Sequence, residues 1–186
     1  MKKNFRILLS LLPLIIALLP SCFSGDEFRS TIAKGMINSS EIRMDMTIQE
    51  IELKFGQPQE KTNVADWGYY NYTDFGIFFN NPLTYYDGDK LVATDPEENS
   101  IAFIRWYQDI SIFEIIIDLT KMKTVFKKYG DPDKQYYLKP EDDDGTFSTG
   151  MKLYYISGKY ALSYNYDNES KIVTYATLMP ATMVPE

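Results

Sequence analysis

The chain has 186 residues and carries 19 basic against 26 acidic side chains, a formal net charge of −7 at pH 7. Such a balance repels phosphate backbones, and we therefore expect no nucleic-acid partner. Histidine is absent and cysteine occurs once, which excludes Ser-His-Asp and Cys-His catalysis, His-ligated zinc and a disulfide within one chain. Fifteen tyrosines raise the aromatic content to 15%, a composition that suits strands and protein-binding surfaces.

The N-terminal residues predict a secretory signal peptide over 1–21. A basic start precedes an apolar run over 7–19, which is too short to span a bilayer. Residues 19–22 read Leu-Pro-Ser-Cys. They resemble the lipobox of bacterial lipoproteins, which implies that Cys22 is lipidated and becomes the mature N-terminus, held at the membrane by its acyl chains. The alternative is an ordinary signal peptide followed by a chance cysteine.

Loss of residues 1–21 would leave 16 basic against 26 acidic side chains, a net charge of −10. This charge argues against adsorption to anionic lipid and leaves the acyl chains as the membrane contact. In enteric bacteria an aspartate after the lipidated cysteine retains lipoproteins at the inner membrane. Because Phe23 stands at that position, we expect a cell-envelope protein of the outer membrane, in either leaflet. Residues 22–44 are small and polar without a sustained period, and predict a flexible tether that reaches about 25 Å.

The rest of the chain contains an internal repeat with an offset of 74 residues. The pattern apolar-x-x-Lys-aromatic-Gly-x-Pro occurs over 51–58 and again over 125–132. A glycine followed by a proline two residues later ends a helix, because the glycine adopts the cap conformation and the proline cannot continue it. We therefore expect one helix to end before Gly56 and another before Gly130.

The first of these helices has the stronger start signal. Thr47 and Glu50 have the spacing of a capping box, which predicts a helix over 48–55. The second helix is expected to begin near residue 119 or 120, and Lys123 stands where a glutamate would complete the box.

Each helix is followed by aromatic runs of alternating character that predict antiparallel strands. The predicted strands are 67–73, 76–80 and 101–107 in the first unit, and 135–139, 151–156, 159–166 and 171–178 in the second. The predicted fold class is α+β, with two tandem helix-plus-antiparallel-meander repeats, 45–109 and 110–182, forming one curved sheet with helices packed on one face. Residues 110–117 are apolar enough to be either a strand or a buried linker.

A sheet with helices on one face exposes its other face unless a partner covers it. In one register the side chains that point toward the helices are Trp67, Tyr69, Ile104 and Trp106, although a shift of one residue would invert this assignment. Arginine and tyrosine are common at binding hot spots. We therefore expect a protein-binding surface formed by Tyr70, Tyr72, Phe103, Arg105, Tyr107 and Tyr154. The competing interpretation is that half of the tyrosines belong to the core and half are ordinary surface cover.

One family resemblance rests on the first unit. Residues 45–51 read Asp-Met-Thr-Ile-Gln-Glu-Ile, 55–58 read Phe-Gly-Gln-Pro, and Trp67-x-Tyr69 and 76–79 (Gly-Ile-Phe-Phe) follow. This pattern resembles the superfamily that joins the β-lactamase inhibitor proteins with the small outer-membrane lipoproteins of the SmpA/OmlA type. The resemblance implies a doubled helix-plus-meander unit, a curved sheet of about eight strands, action by binding, and no catalytic residues or cofactor. The cysteine bridges of the inhibitors are absent, so inhibition of a β-lactamase is not implied.

The acidic run over 141–145 (Glu-Asp-Asp-Asp-Gly) does not predict a metal site. An EF-hand alignment that uses its aspartates would require ligands at Pro140 and Met151, so a solvated hairpin loop is the better interpretation. The sequence as a whole predicts a non-enzymatic, lipid-anchored protein that binds or scaffolds another envelope protein. The alternative is a small-ligand-binding protein or a carboxylate-dependent cell-wall hydrolase, for which Asp74 and Glu98 are examples of available carboxylates.

Overall fold

The computed structural model describes residues 25–37, 42–94, 99–107, 110–138 and 150–186. The predicted signal peptide, Cys22 and the acidic run over 141–145 lie outside these residues. Within the described part of the chain, none of the helices has the length and apolar character that a membrane crossing requires.

The described residues form three α-helices and twelve strands. The helices are α1 (Gly25–Ala33), α2 (Ile48–Phe55) and α3 (Met122–Tyr129). The strands are β1 (Glu60–Val64), β2 (Trp67–Asn71), β3 (Phe75–Phe79), β4 (Thr84–Asp87), β5 (Lys90–Ala93), β6 (Ile101–Tyr107), β7 (Ser111–Ile112), β8 (Ile115–Ile116), β9 (Lys134–Tyr137), β10 (Gly150–Ser157), β11 (Tyr160–Asp167) and β12 (Val173–Pro180).

Eight of the strands form one antiparallel sheet in the order β1-β2-β3-β6-β12-β11-β10-β9. The pairs β4–β5 and β7–β8 form two small separate hairpins. The predicted α+β class with a large antiparallel sheet is confirmed. The last strand before residue 110 and the last strand of the chain, β6 and β12, pair at the centre of the sheet.

Helix α2 begins and ends where the sequence predicts. The Thr47 Oγ1 accepts a hydrogen bond from the Glu50 N–H at 3.2 Å, and Glu50 Oε2 accepts one from the Thr47 N–H at 2.8 Å. Helix α3 begins at Met122, slightly later than predicted, and Lys121 at its N-cap provides no side-chain bond. Both helices end at a glycine with positive φ, +78° at Gly56 and +77° at Gly130, a conformation that favours glycine.

The expectation of a flexible tether over 22–44 is wrong for residues 25–37 and 42–44. Phe28 and Ile32 are fully buried on one side of α1, which packs against β10, β11 and α3. Ile37, Ile42 and Met44 are also buried. The physical reason is the spacing of four residues between Phe28 and Ile32, which places two large apolar side chains on the same helix face.

The sequence left open whether residues 110–117 form a strand or a buried linker, and the structure shows both features. β7 and β8 form a short hairpin turn through Phe113 and Glu114, both at positive φ. Most of its apolar side chains are buried, namely those of Ile112, Phe113, Ile115 and Ile117. A second hairpin, β4–β5, turns at Gly88, which has a positive φ.

The outward orientation expected for Tyr70 and Tyr72 is wrong. Tyr70 donates its hydroxyl hydrogen to Glu52 Oε1 of α2 at 3.0 Å, and Tyr72 donates to the Gly56 carbonyl at 3.2 Å. Both tyrosines are therefore buried under α2. Since neighbouring residues of a strand point to opposite faces, Trp67 and Tyr69 lie on the face away from the helices.

Candidate binding surface

The sheet face opposite the helices, here called the far face, carries a row of polar side chains across its centre. Cross-strand pairing aligns Arg105 with Thr177, Thr177 with Ser163, and Ser163 with Tyr154. Paired residues share a face of the sheet. Among the described residues, five polar or charged ones are buried, and four of them lie on this face: Arg105, Ser163, Asn165 and Thr177. A buried polar cluster on a face that no helix covers needs an explanation, because burial of polar groups costs free energy unless they are paired.

Arg105 lies at the centre of the far face and is only 8% exposed. Its guanidinium carbon lies 4.6 Å from the ring centroid of Tyr175, 5.6 Å from that of Phe103 and 5.7 Å from that of Phe78. The Nε atom donates to Thr177 Oγ1 at 3.4 Å. Cation–π contacts stabilise a guanidinium that has little water around it. The aromatic rings therefore hold the charge of Arg105 in one place.

A cavity of about 410 Å³ opens above this arginine. Its walls are aromatic and its charges are positive, with lining residues that include Trp67, Phe103, Tyr136, Tyr154, Arg105 and Lys152. Met183 and Pro185 add to its rim from the C-terminal segment, where Lys134 Nζ donates to the Pro185 carbonyl at 2.9 Å.

The same cavity shows that the sheet is curved. Trp67 belongs to β2 and Tyr136 to β9, which are six strand spacings apart in the order of the sheet. In a flat sheet six spacings would separate them by about 29 Å, since neighbouring strands lie about 4.8 Å apart. Both line one cavity, so the sheet curls around the far face and makes it concave.

At neutral pH this site combines a neutral tyrosine hydroxyl with positively charged side chains. The pKa of the Tyr154 hydroxyl is raised to about 12, chiefly by burial and to a smaller extent by the neighbouring Tyr136, while Arg105 acts in the opposite direction. Tyr154 is therefore a neutral hydrogen-bond donor, while Arg105 and Lys152 carry positive charge. In addition, Ser163 Oγ and Asn165 Oδ1 are buried without a hydrogen-bond partner among the described residues. The site can attract an anionic group and offers polar atoms as well as apolar rings.

The structure brings only part of the predicted binding surface together. Phe103, Arg105, Tyr107 and Tyr154 belong to the far face, with Arg105 and Tyr154 buried in it. The sequence reasoning missed further lining residues, of which Trp67, Tyr136 and Lys152 contribute most. Tyr136 and Tyr137 are neighbours on β9, so the two side chains point to opposite faces and one of them lies on this side. Within the described residues, no group of three acidic, histidine or cysteine side chains could hold a metal ion.

Comparison with known proteins identifies the fold but no family. No family model matches the chain, and no curated protein matches it. A DUF4309 family protein (YjgB) from Bacillus subtilis has a similar structure, with a TM-score of 0.55 and 14% sequence identity over 84% of this chain and 95% of that one. This likeness concerns the fold alone. The resemblance to the β-lactamase inhibitor and SmpA/OmlA superfamily stays a prediction.

Two further matches are to longer proteins. An extracellular protein with an SCP domain from Bacillus anthracis has a TM-score of 0.49 and 13% identity, over 77% of this chain and 47% of that one. A cysteine-rich secretory protein from Staphylococcus aureus has a TM-score of 0.42 and 10% identity, over 75% and 45%. The chain spans less than half the length of either protein.

Proposed function

We propose that this protein is a lipid-anchored module of the bacterial cell envelope that binds or scaffolds another protein through the far face of its sheet. The observation that carries the proposal is the concave, aromatic cavity with Arg105 fixed at its centre. Aromatic residues and arginine in a desolvated pocket are the typical composition of a binding hot spot. The anchor is Cys22, and the expected location is the outer membrane.

The occupant we propose is a segment of a partner protein that carries a carboxylate next to an apolar or aromatic side chain. Arg105 and Lys152 supply two positive charges to the cavity, which complements a negative group. Trp67, Phe103 and Tyr136 supply apolar walls for the neighbouring side chain. A carboxylate-dependent hydrolase would need two acidic side chains at one cavity, whereas the described lining here consists of rings, cations and small polar groups.

We also propose that the two halves of the sheet are tandem copies of one helix-plus-meander unit. Tyr72 donates to the carbonyl of Gly56, and Tyr155 donates to the carbonyl of Gly130 at 3.0 Å. Tyr72 directly follows β2, the second strand of the first four-stranded half, and Tyr155 lies on β10, the second strand of the other half. In each half, the residue three positions after the glycine also donates its backbone N–H to the residue just before the tyrosine. This repeated pair of bonds supports the internal repeat of the sequence.

Position-specific photocrosslinking tests the binding surface in cells that express the full chain. A benzoylphenylalanine at Tyr136 would stand in the cavity, whereas one at Tyr137 would point to the opposite side of β9, where the native side chain is 60% exposed. We expect a discrete crosslinked partner from position 136 and none from position 137. Equal crosslinking at both positions, or crosslinking from 137 alone, would contradict the proposal.

The charge of the occupant is tested by the same crosslink. Replacement of Lys152 by glutamate in the chain with the crosslinker at 136 should abolish the adduct, because it places a negative charge against a carboxylate. The matched control, Lys159→Glu, changes an exposed lysine outside the cavity by the same charge and should leave the adduct in place. An adduct that survives Lys152→Glu would show that the partner is not acidic at this point.

The anchor is tested separately. Cys22→Ala should prevent labelling of the protein by a palmitate analogue and should release it into the soluble fraction of disrupted cells. A variant that remains labelled would show that the lipid is not on Cys22.

A further inference from the structure

A second cavity lies on the helix side of the sheet, where α3 begins and β12 follows the turn after β11. It has a volume of about 430 Å³. Three lysines line it, Lys121, Lys123 and Lys171. Its apolar lining comes from Met122, Phe126 and Tyr166. Here it is called the lysine pocket.

The backbone holds the segments that carry these lysines together. The Met122 N–H donates to the Lys171 carbonyl at 2.9 Å, and Lys121 forms an isolated β-bridge with Ile172. The start of α3 and the start of β12 are therefore tied to each other. Three positive side chains are thus brought to one cavity by main-chain hydrogen bonds, although two of them are about fifty residues from the third in sequence.

The charges of these lysines are available for a ligand. Lys61 and Lys128 form ion pairs with Glu52 and Glu114, but none of the three pocket lysines forms an ion pair with a described residue. The nearest turn does contain Asp167. Its Oδ1 atom accepts hydrogen bonds from the backbone N–H groups of residues 169 and 170, which hold the pKa of that carboxyl below its usual value. The charge of Lys171 lowers this pKa as well, so Asp167 balances part of the charge of Lys171, whereas Lys121 and Lys123 have no such partner among the causes of that shift.

We infer that the lysine pocket binds a phosphate group that carries an apolar substituent, the chemistry shared by phospholipid headgroups and soluble phosphate esters. Lysines bind phosphate as point charges, and three of them line this pocket. The rings and thioether of Tyr166, Phe126 and Met122 would contact the substituent. The inference runs against the acidic balance of the chain as a whole, and it does not depend on the far face.

Two triple variants of equal charge test this inference. The site variant replaces Lys121, Lys123 and Lys171 by glutamine. The control variant replaces three exposed lysines outside the cavity by glutamine, namely Lys34, Lys90 and Lys127. Both variants and the parent chain start at residue 23, so that they contain every described residue and lack the proposed anchor. Circular dichroism and thermal unfolding should show that all three are folded.

The probes are phenyl phosphate, inorganic phosphate, and vesicles of either phosphatidylglycerol or phosphatidylcholine. We expect the parent and control chains to bind phenyl phosphate more tightly than inorganic phosphate by calorimetry, and the site variant to bind it at least tenfold more weakly. Sedimentation with phosphatidylglycerol vesicles that depends on the three pocket lysines would identify lipid as the source. Binding of phenyl phosphate without vesicle binding would identify a soluble ester. Equal losses in the site and control variants, or no binding of any probe, would overturn the inference.

Discussion

The two helices that precede the two halves of the large sheet are stabilised in different ways. Helix α2 has a complete capping box at Thr47 and Glu50. Helix α3 has no side-chain cap, yet Tyr129 at its end is buried and stacks on Phe28 of α1 with ring centroids 4.0 Å apart. A short helix without local start signals depends on tertiary packing. The two helices end with the same sequence pattern. Local hydrogen bonds stabilise the helix of the first half, whereas packing against α1 stabilises the helix of the second.

Helix α1 supplies the packing that supports α3, because it lies against the second half. Phe28 contacts the rings of Phe113, Tyr129 and Tyr155. Arg29 donates to the carboxylate of Asp133 and, at 2.7 Å, to a backbone carbonyl of β10. Substitutions in α1 should therefore lower the free energy of unfolding of the whole protein more than comparable substitutions in α2.

The largest effect is expected from Phe28→Ala. Removal of a fully buried phenylalanine leaves a cavity and costs about 3–5 kcal/mol in the free energy of unfolding. The matched variant, Phe55→Ala in α2, removes a half-buried ring and should cost less than half as much. Urea unfolding of both chains measures the difference. Equal losses would show that the packing of α1 contributes no more to stability than that of α2.

A smaller loss of stability is expected when a tyrosine loses the hydroxyl that donates to the end of a helix. Tyr155→Phe and Tyr72→Phe each remove a hydroxyl that donates to a glycine carbonyl, with a cost of about 1–2 kcal/mol. We expect the larger loss at Tyr155, because it is fully buried and water cannot replace the lost donor. The midpoint of urea unfolding gives both values. A larger loss at Tyr72 would reverse the proposed contrast between the halves.

A still smaller loss of stability is expected from substitutions at the N-cap positions of the two helices. Thr47→Ala should cost about 1 kcal/mol, since it removes the side-chain acceptor of the capping box. Lys121→Ala at the corresponding position of α3 should change stability by less than about 0.5 kcal/mol, because no cap bond is lost. Thermal unfolding of the two variants checks this. A cost at Lys121 comparable with that at Thr47 would mean that α3 has a cap of its own.

The smallest effect is a dependence on pH. Partial burial acts to raise the pKa of the Asp133 carboxyl, but the Arg29 and Ile156 donors outweigh it and hold the pKa below its usual value. Because the folded-state pKa is the lower one, this stabilisation is present at neutral pH and is lost as the pH falls from about 4 through the folded-state pKa. Stability should therefore fall less steeply with acid in Asp133→Asn than in the parent chain.

Glu52 is the carboxylate of the first half that corresponds to Asp133 in this comparison of pH dependence. The hydrogen bond from Lys61 lowers the pKa of Glu52, and donors from Gln57 and Tyr70 add to it. Glu52→Gln should also flatten the acid dependence of stability, measured by urea midpoints at pH values on either side of about 4. If neither variant changes the slope, the two carboxylates do not contribute to acid unfolding.

The sequence was most informative where local chemistry decides the structure. Glycine, proline and the capping box placed the ends of α2 correctly, and alternation located most strands to within a few residues. Helix α1 was missed because two apolar residues, Phe28 and Ile32, in a polar segment give only a weak periodic signal. Their role depends on the second half of the sheet, which the local sequence does not describe.

The candidate site was harder to predict because it depends on register and strand order. The segment 67–72, which contains β2, is aromatic on both faces, with Trp67 and Tyr69 on one side and Tyr70 and Tyr72 on the other, so alternation cannot show which side meets a helix. Arg105 was identified because arginine is common at binding hot spots and because alternation on β6 places it opposite Ile104 and Trp106. Tyr136 joins the site through the curvature of the sheet, which brings β9 toward β2, and no local pattern encodes that approach.

The pairing of β6 with β12 has a consequence for how the molecule comes apart. Each of these strands ends one half of the sheet, and each is largely buried in the intact protein. Either half in isolation would expose a long apolar strand edge, the kind of edge that recruits other chains and leads to aggregation. The described residues should therefore unfold in a single cooperative transition, with no populated state in which one half survives without the other.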